Sequence, residues 1–289
     1  MRLTAHRAIL TACYLLFLGT ALYFAMGGMS YYLTPVIDRP HHPLYWAFKP
    51  GGRIGHPLGW AGSGMMILML LYSVRKRMRA LRNTGAIGVW LDYHILLGIC
   101  GPIFVILHSS FKVHGLVALS FWSMILVALS GVLGRYLYRQ IPRSRVGDEL
   151  SLSEVRELDD ALSSRLVEEF GLPVDAIEEL DLIARQGASE RRSLTLLVLG
   201  LPLDALVLRR RLRRFRKRHP QVQHGLRRAF ERATRRKAQL HRRIAMWGRL
   251  HRLFHYWHVV HKPFAVIMYL FMVVHVAVAW VTGYGWIGS

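Results

Sequence analysis

Five apolar runs, each close to twenty residues and set between basic segments, leave this chain few ways to fold. They cover about Ala8 to Met26, Leu58 to Val74, Trp90 to His108, Leu116 to Tyr138 and Pro263 to Val281. A helix rises 1.5 Å per residue, so about 20 residues cross the roughly 30 Å of hydrocarbon in a bilayer. Hydrocarbon offers no partner to an open backbone group, and a segment that satisfies all of its own is a helix. Apolar residues make up 53% of the chain and are gathered into these runs. Tyr23, Trp60, Trp90, Tyr138, Trp280 and Trp286 stand at their edges, where amphipathic rings prefer the interface. No small-residue cleavage site follows the first run cleanly, so it reads as a span and not as a signal peptide. The expected fold is an all-α integral membrane protein with about five transmembrane helices.

Lysine and arginine set the expected orientation. RKRMRALR follows the second span, Arg135, Arg139, Arg143 and Arg145 follow or end the fourth, and Arg2 and Arg7 begin the first. The opposite loops carry only Arg39, Lys49 and Arg53 in one and Lys112 in the other. The N-terminus is therefore expected in the cytoplasm and the C-terminus outside, in a multi-pass protein of the cytoplasmic (inner) membrane. Residues 1–138 hold four helices, 139–258 form a cytoplasmic insert, and 259–289 hold the fifth helix and a short outer end. Ser193 to Leu208 is apolar but short, interrupted by Pro202 and Asp204 and flanked by arginines. It reads as a cytoplasmic core or surface element, because a crossing would put one basic flank on the wrong side.

The insert changes character midway. DELSLSEVRELDDALSSRLVEEFGLP is acidic and amphipathic, with Ser151 or Ser153 able to cap a helix and Gly171 with Pro173 able to end it. From Arg209 the chain turns basic, RRRLRRFRKR holding eight charges in ten residues, and the formal net charge is +22. Such a helical face suits anionic headgroups, at about 1 kcal/mol per basic residue near the surface. It also suits docking of an acidic soluble redox partner. No module for reading nucleic acid is visible, so nucleic acid is not an expected partner.

Four histidines carry the chemistry. His94 and His108 lie in the third span, His261 and His275 in the fifth, and each pair is fourteen residues apart. Fourteen helical residues bring the second imidazole back to within roughly 40° of the first and about 21 Å along the axis. Histidine is expensive in hydrocarbon without a partner. The third and fifth spans run in the same direction, which sets His94 beside His261 near the cytoplasmic face and His108 beside His275 near the outer face. Each pair is placed to clamp a haem iron from both sides. Gly98 and Gly101 fall between the histidines of the third span, where small residues let a flat macrocycle or a neighbouring helix approach. Cys13 and Cys100 lie in separate spans, which gives no covalent haem attachment, iron–sulfur ligand set or outer disulfide. Two non-covalent haems b are thus the expected cofactors, with quinone a further candidate. No G-x-G-x-x-G follows a strand, so no nicotinamide or flavin domain is visible.

Secondary candidates surround these four. His255 and His258 read as interfacial residues, with contact to a haem propionate or quinone as the alternative, and His56 and His114 lie near the outer pair as competing ligands, against which their loop positions argue. Arg53 and Lys112 are outer cations able to neutralise propionates, although simple interfacial anchoring accounts for them as well. The paired H-x13-H resembles the di-haem cytochromes b, and its placement on the third and fifth spans resembles the transmembrane domain of ferric reductases and NADPH oxidases. The likeness covers roughly Gly55 to Val281 without the insert, and RIGHPLGWAGSGMM is similar to an element of bacterial membrane cytochromes. It implies that His94, His108, His261 and His275 ligate two stacked haems carrying electrons across the bilayer. This chain departs from that family in having no sixth span leading to a flavin and nucleotide domain, and in its long insert. The expected function is a two-haem electron conduit, a subunit of a larger redox complex, with quinol or a cytoplasmic donor and an outer acceptor such as a c-type cytochrome. Iron–sulfur or flavin proteins are further candidate partners. Two alternatives stand beside it: a non-redox transporter or scaffold, and a reductase of iron or oxygen at the outer face.

Overall fold

The computed structural model describes residues 2–81, 83–141, 150–185, 206–215, 217–218 and 227–284. Among these the chain is helical, with no strand. Its longer helices are α1 (Arg2–Gly27), α2 (Gly55–Arg77), α3 (Ile87–Ser109), α4 (Leu116–Tyr138), α5 (Leu152–Glu168), α6 (Val174–Arg185), α7 (Arg227–Ala245) and α8 (Trp247–Ala279). Residues 206–215 are helical too. Five helices, α1 to α4 and α8, are long and apolar enough to cross a membrane. The chain divides into two units, with breaks after Gly134 and after Tyr256.

The fifth apolar helix begins sixteen residues before the expected start at Pro263, at Trp247. Pro263 lies inside it. The ring removes one backbone donor and ordinarily ends a helix, but membrane helices tolerate proline where neighbouring groups take up the freed carbonyl. The other four spans lie where the apolar runs put them.

In the first unit α2 and α3 pack antiparallel at a crossing of small residues. A Cβ added to Gly62 would stand 2.7 Å from Val105 Cγ2 and 2.9 Å from the Gly101 carbonyl; one on Gly101 would meet Met66 Cγ at 3.1 Å and the Gly62 carbonyl at 3.2 Å. Of the two approaches that glycine allows at position 101, the neighbouring helix is the one seen. Gly98 faces the same helix more loosely, 3.7 Å from Met69 Sδ.

The stretch between α1 and α2 packs over the end of α3. Arg39, only 4% exposed, donates through Nε to the Thr34 carbonyl and through Nη2 to that of Tyr32, both at 2.8 Å, and through Nη1 to that of Ser110. Its guanidinium also lies 5.3 Å from the centre of the Tyr31 ring. Arg39 ties three carbonyls together. Ser110, which ends α3 at φ 49°, donates from Oγ to the Phe48 carbonyl at 2.7 Å. Tyr32 donates to the Leu107 carbonyl at 3.2 Å. Its phenol pKa is pushed up to about 12, by burial and by Tyr31 against the opposing pull of Arg39.

The second unit has its own core. Leu166, Phe170, Leu172, Ile177, Leu180, Leu208, Leu212, Phe215 and Phe230 are buried together. Ser151 caps α5 in a reciprocal capping box with Glu154, a pairing that satisfies two of the donors left open at a helix start. These contacts hold the Glu154 carboxyl below its ordinary pKa. Gly171 follows at φ 62°, a left-handed turn that glycine enters at no steric cost. Positions 193–205 of the apolar Ser193 to Leu208 stretch lie outside the described residues; Leu206 to Leu208 are helical, with Leu208 in the core.

On α7 the apolar stripe Phe230, Ala233 and Ala238 is buried while Arg228, Arg232, Arg235 and Arg236 are exposed. Lys237, on the buried side, is 1% exposed and lies 3.1 Å from both Asp159 Oδ2 and Asp181 Oδ1. His241 Nδ1 is 3.0 Å from Asp159 Oδ2. Among the described residues, Asp159, Asp181 and His241 form a group compact enough to share a metal ion. The Lys237 ammonium already supplies a cation to both carboxylates.

A candidate two-centre haem site

The antiparallel register of α2 and α3 links the two histidines of α3 to α2 level by level. Seven residues along α3, from His94 to Gly101 and seven more to His108, match seven and seven back along α2, from Met69 to Gly62 to Gly55. At the two ends of this ladder the imidazoles meet main-chain oxygens. His94 Nδ1 is 2.9 Å from the Met69 carbonyl and His108 Nδ1 is 2.8 Å from the Gly55 carbonyl. A carbonyl only accepts, so both Nδ1 atoms carry the proton and both Nε2 lone pairs are free. Metal-ligating histidines are oriented in this way by outer partners.

Glycines make room for it. A Cβ on Gly59 would stand 2.6 Å from His108 Nδ1, so any larger residue displaces the ring. Gly55 has its own Cβ position closed by the Lys49 carbonyl.

His261 is held differently. Its Nδ1 is 2.7 Å from Ser130 Oγ on α4, and that hydroxyl donates to the Val127 carbonyl at 2.9 Å. With the hydroxyl proton given to Val127, the Ser130 oxygen is left to accept from the His261 tautomer that is protonated at Nδ1. Trp257, one turn away, donates to the Ser130 carbonyl at 2.7 Å, and its ring centre lies 4.7 Å from that of His261. Gly134 leaves the space that the indole fills.

His108 and His275 face each other with ring centres 6.3 Å apart and planes at 62°. Two imidazoles that each held one metal at about 2.0–2.1 Å would stand at a separation of this order. At His108 and His275 the donor set and its spacing would suit one metal held by two imidazoles. All four rings are half-buried.

Between the two histidine levels lies a layer that the sequence reading did not identify. Met66, Met124, Met268 and Met272 are buried together, packed by Val105, Ile106, Phe121, Ile125 and Tyr269. Met268 is seven residues from each histidine of α8. Tyr269 donates to the Met66 carbonyl at 2.6 Å, and Ser120 to that of Met268 at 2.9 Å. These side-chain bonds join α8 to α2 and α4 where no glycine is available. Scattered over three helices, the methionines share no spacing that a linear reading detects; Gly55, Gly59 and Met69 have such a spacing only once the helix register is known.

The secondary candidates fall around this frame. His56 Nε2 accepts from Trp60 Nε1 at 3.0 Å. His114 and Arg53 are exposed. Lys112 Nζ lies 5.8 Å from the Tyr45 ring centre, an interfacial cation–π contact. His258 packs against Trp257 with ring centres 4.5 Å apart. His6 Nε2, on α1, lies 3.2 Å from Asp92 Oδ2 on α3, a pairing the sequence reading missed because the two are 86 residues apart. No family model matches the chain, and no curated protein or solved structure shows significant similarity to it.

Proposed function

We propose that this chain is a membrane-embedded cytochrome of b type, holding two haems between His94 and His261 and between His108 and His275 and carrying electrons from one face of the bilayer to the other. The observation that carries this reading is the His108–His275 pair, 6.3 Å between ring centres, with His108 Nδ1 engaged by the Gly55 carbonyl and Nε2 left for a metal. Haem iron ligated by two imidazoles supplies a one-electron couple with no open coordination position. The residues do the rest. Met69, Gly55 and Ser130 fix the tautomer and tilt of three imidazoles, which keeps ligand geometry constant between oxidation states. The methionine layer and Tyr269 exclude water between the two levels, set about 21 Å apart along the helices.

In this reading the N-terminus is cytoplasmic, the protein sits in the inner membrane, and it works as a subunit of a larger complex. Quinol or a cytoplasmic iron–sulfur or flavin protein is the donor, and an outer c-type cytochrome the acceptor. The exposed arginines of 206–215 and α7 attract anionic lipid and an acidic donor.

The test is a reduced-minus-oxidised spectrum of the purified chain with pyridine haemochrome quantitation. Two haems b per polypeptide are expected; none would refute the reading. His94→Ala and His261→Ala should remove one spectral component, and His108→Ala and His275→Ala the other. Loss of the same component from His94→Ala and His108→Ala would contradict the pairing.

A further inference from the structure

Three of the four imidazoles have an identifiable Nδ1 acceptor, and one acceptor differs in kind. His94 and His108 donate to main-chain carbonyls, Met69 at 2.9 Å and Gly55 at 2.8 Å, which no substitution removes. His261 donates to the Ser130 hydroxyl at 2.7 Å. That hydroxyl belongs to a built constellation: its proton goes to the Val127 carbonyl, its own carbonyl anchors the Trp257 indole, and the indole lies against the His261 ring in space left by Gly134. We infer that Ser130 is a positioning residue which, through the electron density of His261, sets the reduction potential of the His94–His261 centre apart from that of the His108–His275 centre. This rests on the haem reading above.

An Nδ1–H that donates strongly gives its ring partial imidazolate character, makes Nε2 a better donor and favours the ferric over the ferrous state. Removing the acceptor leaves a bare N–H in a low-dielectric interior, where hydrogen bonds count most. The ring then donates less to iron, and the potential rises. Outer-shell partners of ligating histidines are worth about 10–100-fold in affinity. A tenfold loss of preference for the ferric state corresponds to about 59 mV upward for one electron. The effect is confined to one centre, because Ser130 contacts His261 and neither histidine of the other pair.

The experiment is a potentiometric titration of the full chain in lipid nanodiscs, followed by the α band. His108→Ala, emptied of the other centre, identifies which component belongs to His94–His261. Ser130→Ala should keep both haems and raise the potential of that component by an amount corresponding to about tenfold, leaving the second where it was. Ser130→Thr, which retains the hydroxyl, should titrate as the native protein does. The inference is overturned if both potentials stay unmoved in Ser130→Ala, if both move together, or if Ser130→Thr shifts as far as Ser130→Ala. Should Ser130→Ala empty the centre, Ser130→Cys carries the test, since its thiol is a weaker acceptor of similar shape: a rise in that potential supports the role and an unchanged value refutes it. Loss of the centre from the Ala and Cys variants with Ser130→Thr loaded at the native potential also supports an acceptor role, whereas loss from all three refutes it. A wild-type chain that binds no haem would instead refute the proposed function itself, so the two failures are distinguishable.

Discussion

Single atoms decide how firmly the histidines are held. Gly59 is the sharpest case, because a methyl there would lie 2.6 Å from His108 Nδ1. Gly59→Val is expected to displace the ring, remove the His108–His275 spectral component and leave the other, as measured by haem quantitation. Gly64, whose Cβ position is open, is the matching control and should tolerate valine. At Lys237 the argument is electrostatic. Its ammonium is buried between Asp159 and Asp181, and removing one member of a buried pair leaves a charge uncompensated, at a cost of about 3–5 kcal/mol. Lys237→Met should lower the denaturation midpoint of the second unit accordingly in chemical unfolding. The same cluster gives a pH dependence. Burial alone would raise the Asp159 pKa, but hydrogen bonds from His241 and Lys237 outweigh it and hold the carboxyl below its ordinary value. A folded value below the unfolded one means that its contribution is fully present above about pH 4, the ordinary carboxylate pKa. It is lost as pH falls through the lower folded value. Asp159→Asn should flatten this acid limb when unfolding is followed as a function of pH.

Among elements, α2 is the one on which both centres of the proposed reading would depend. It binds no metal in the proposed reading, yet its carbonyls at Met69 and Gly55 orient both histidines of α3. The close approach at Gly62 and Gly101 keeps those two carbonyls in register. Gly62→Leu should push the helices apart, disturb both levels and reduce content of both haems, whereas Gly98→Ala, at an ordinary 3.7 Å from Met69 Sδ, should leave both. Equal haem content in Gly62→Leu and wild type would show that the crossing does not position the ligands. The α8 helix is anchored by Tyr269, Trp257 and Ser120 through side-chain bonds, which is why its start and its proline could not be judged from local rules.

At the scale of the whole molecule, charge is the dominant property. The net charge is +22, and Arg209, Arg210, Arg213 and Arg214 are exposed on the helical stretch 206–215. Attraction between exposed charges is screened over about 8 Å at physiological salt. Reduction by an acidic soluble donor should therefore slow steeply as salt rises, while reduction by a quinol entering from the bilayer should not. Reversing these four arginines to glutamate, with both haems retained, should abolish that salt dependence. Unchanged rates and unchanged salt dependence would leave the basic run as a lipid-facing surface and favour quinol as the electron source.

The number of apolar spans, the boundaries of four of the five, a helix cap at Ser151 or Ser153 and the fourteen-residue histidine spacing were all legible in the linear chain. Each depends on hydropathy or on a local period, and solvent and helix geometry act on these directly. Five spans and an all-helical fold follow from the bilayer's intolerance of open backbone groups. What the tertiary structure alone decided is the set of partners: Gly55 and Met69 for the histidines of α3, Ser130 and Trp257 for His261, four methionines between the levels, Arg39 over the end of α3, and Lys237 between two aspartates. The bond between His94 and Met69 spans 25 positions and that from Tyr269 to Met66 spans 203, and such contacts are chosen by helix register and facing, which no local pattern encodes. The histidine spacing was available because one helix holds each pair rigid; the acceptors were not, because a backbone carbonyl carries no side-chain signature and becomes a partner only when two helices meet at one register.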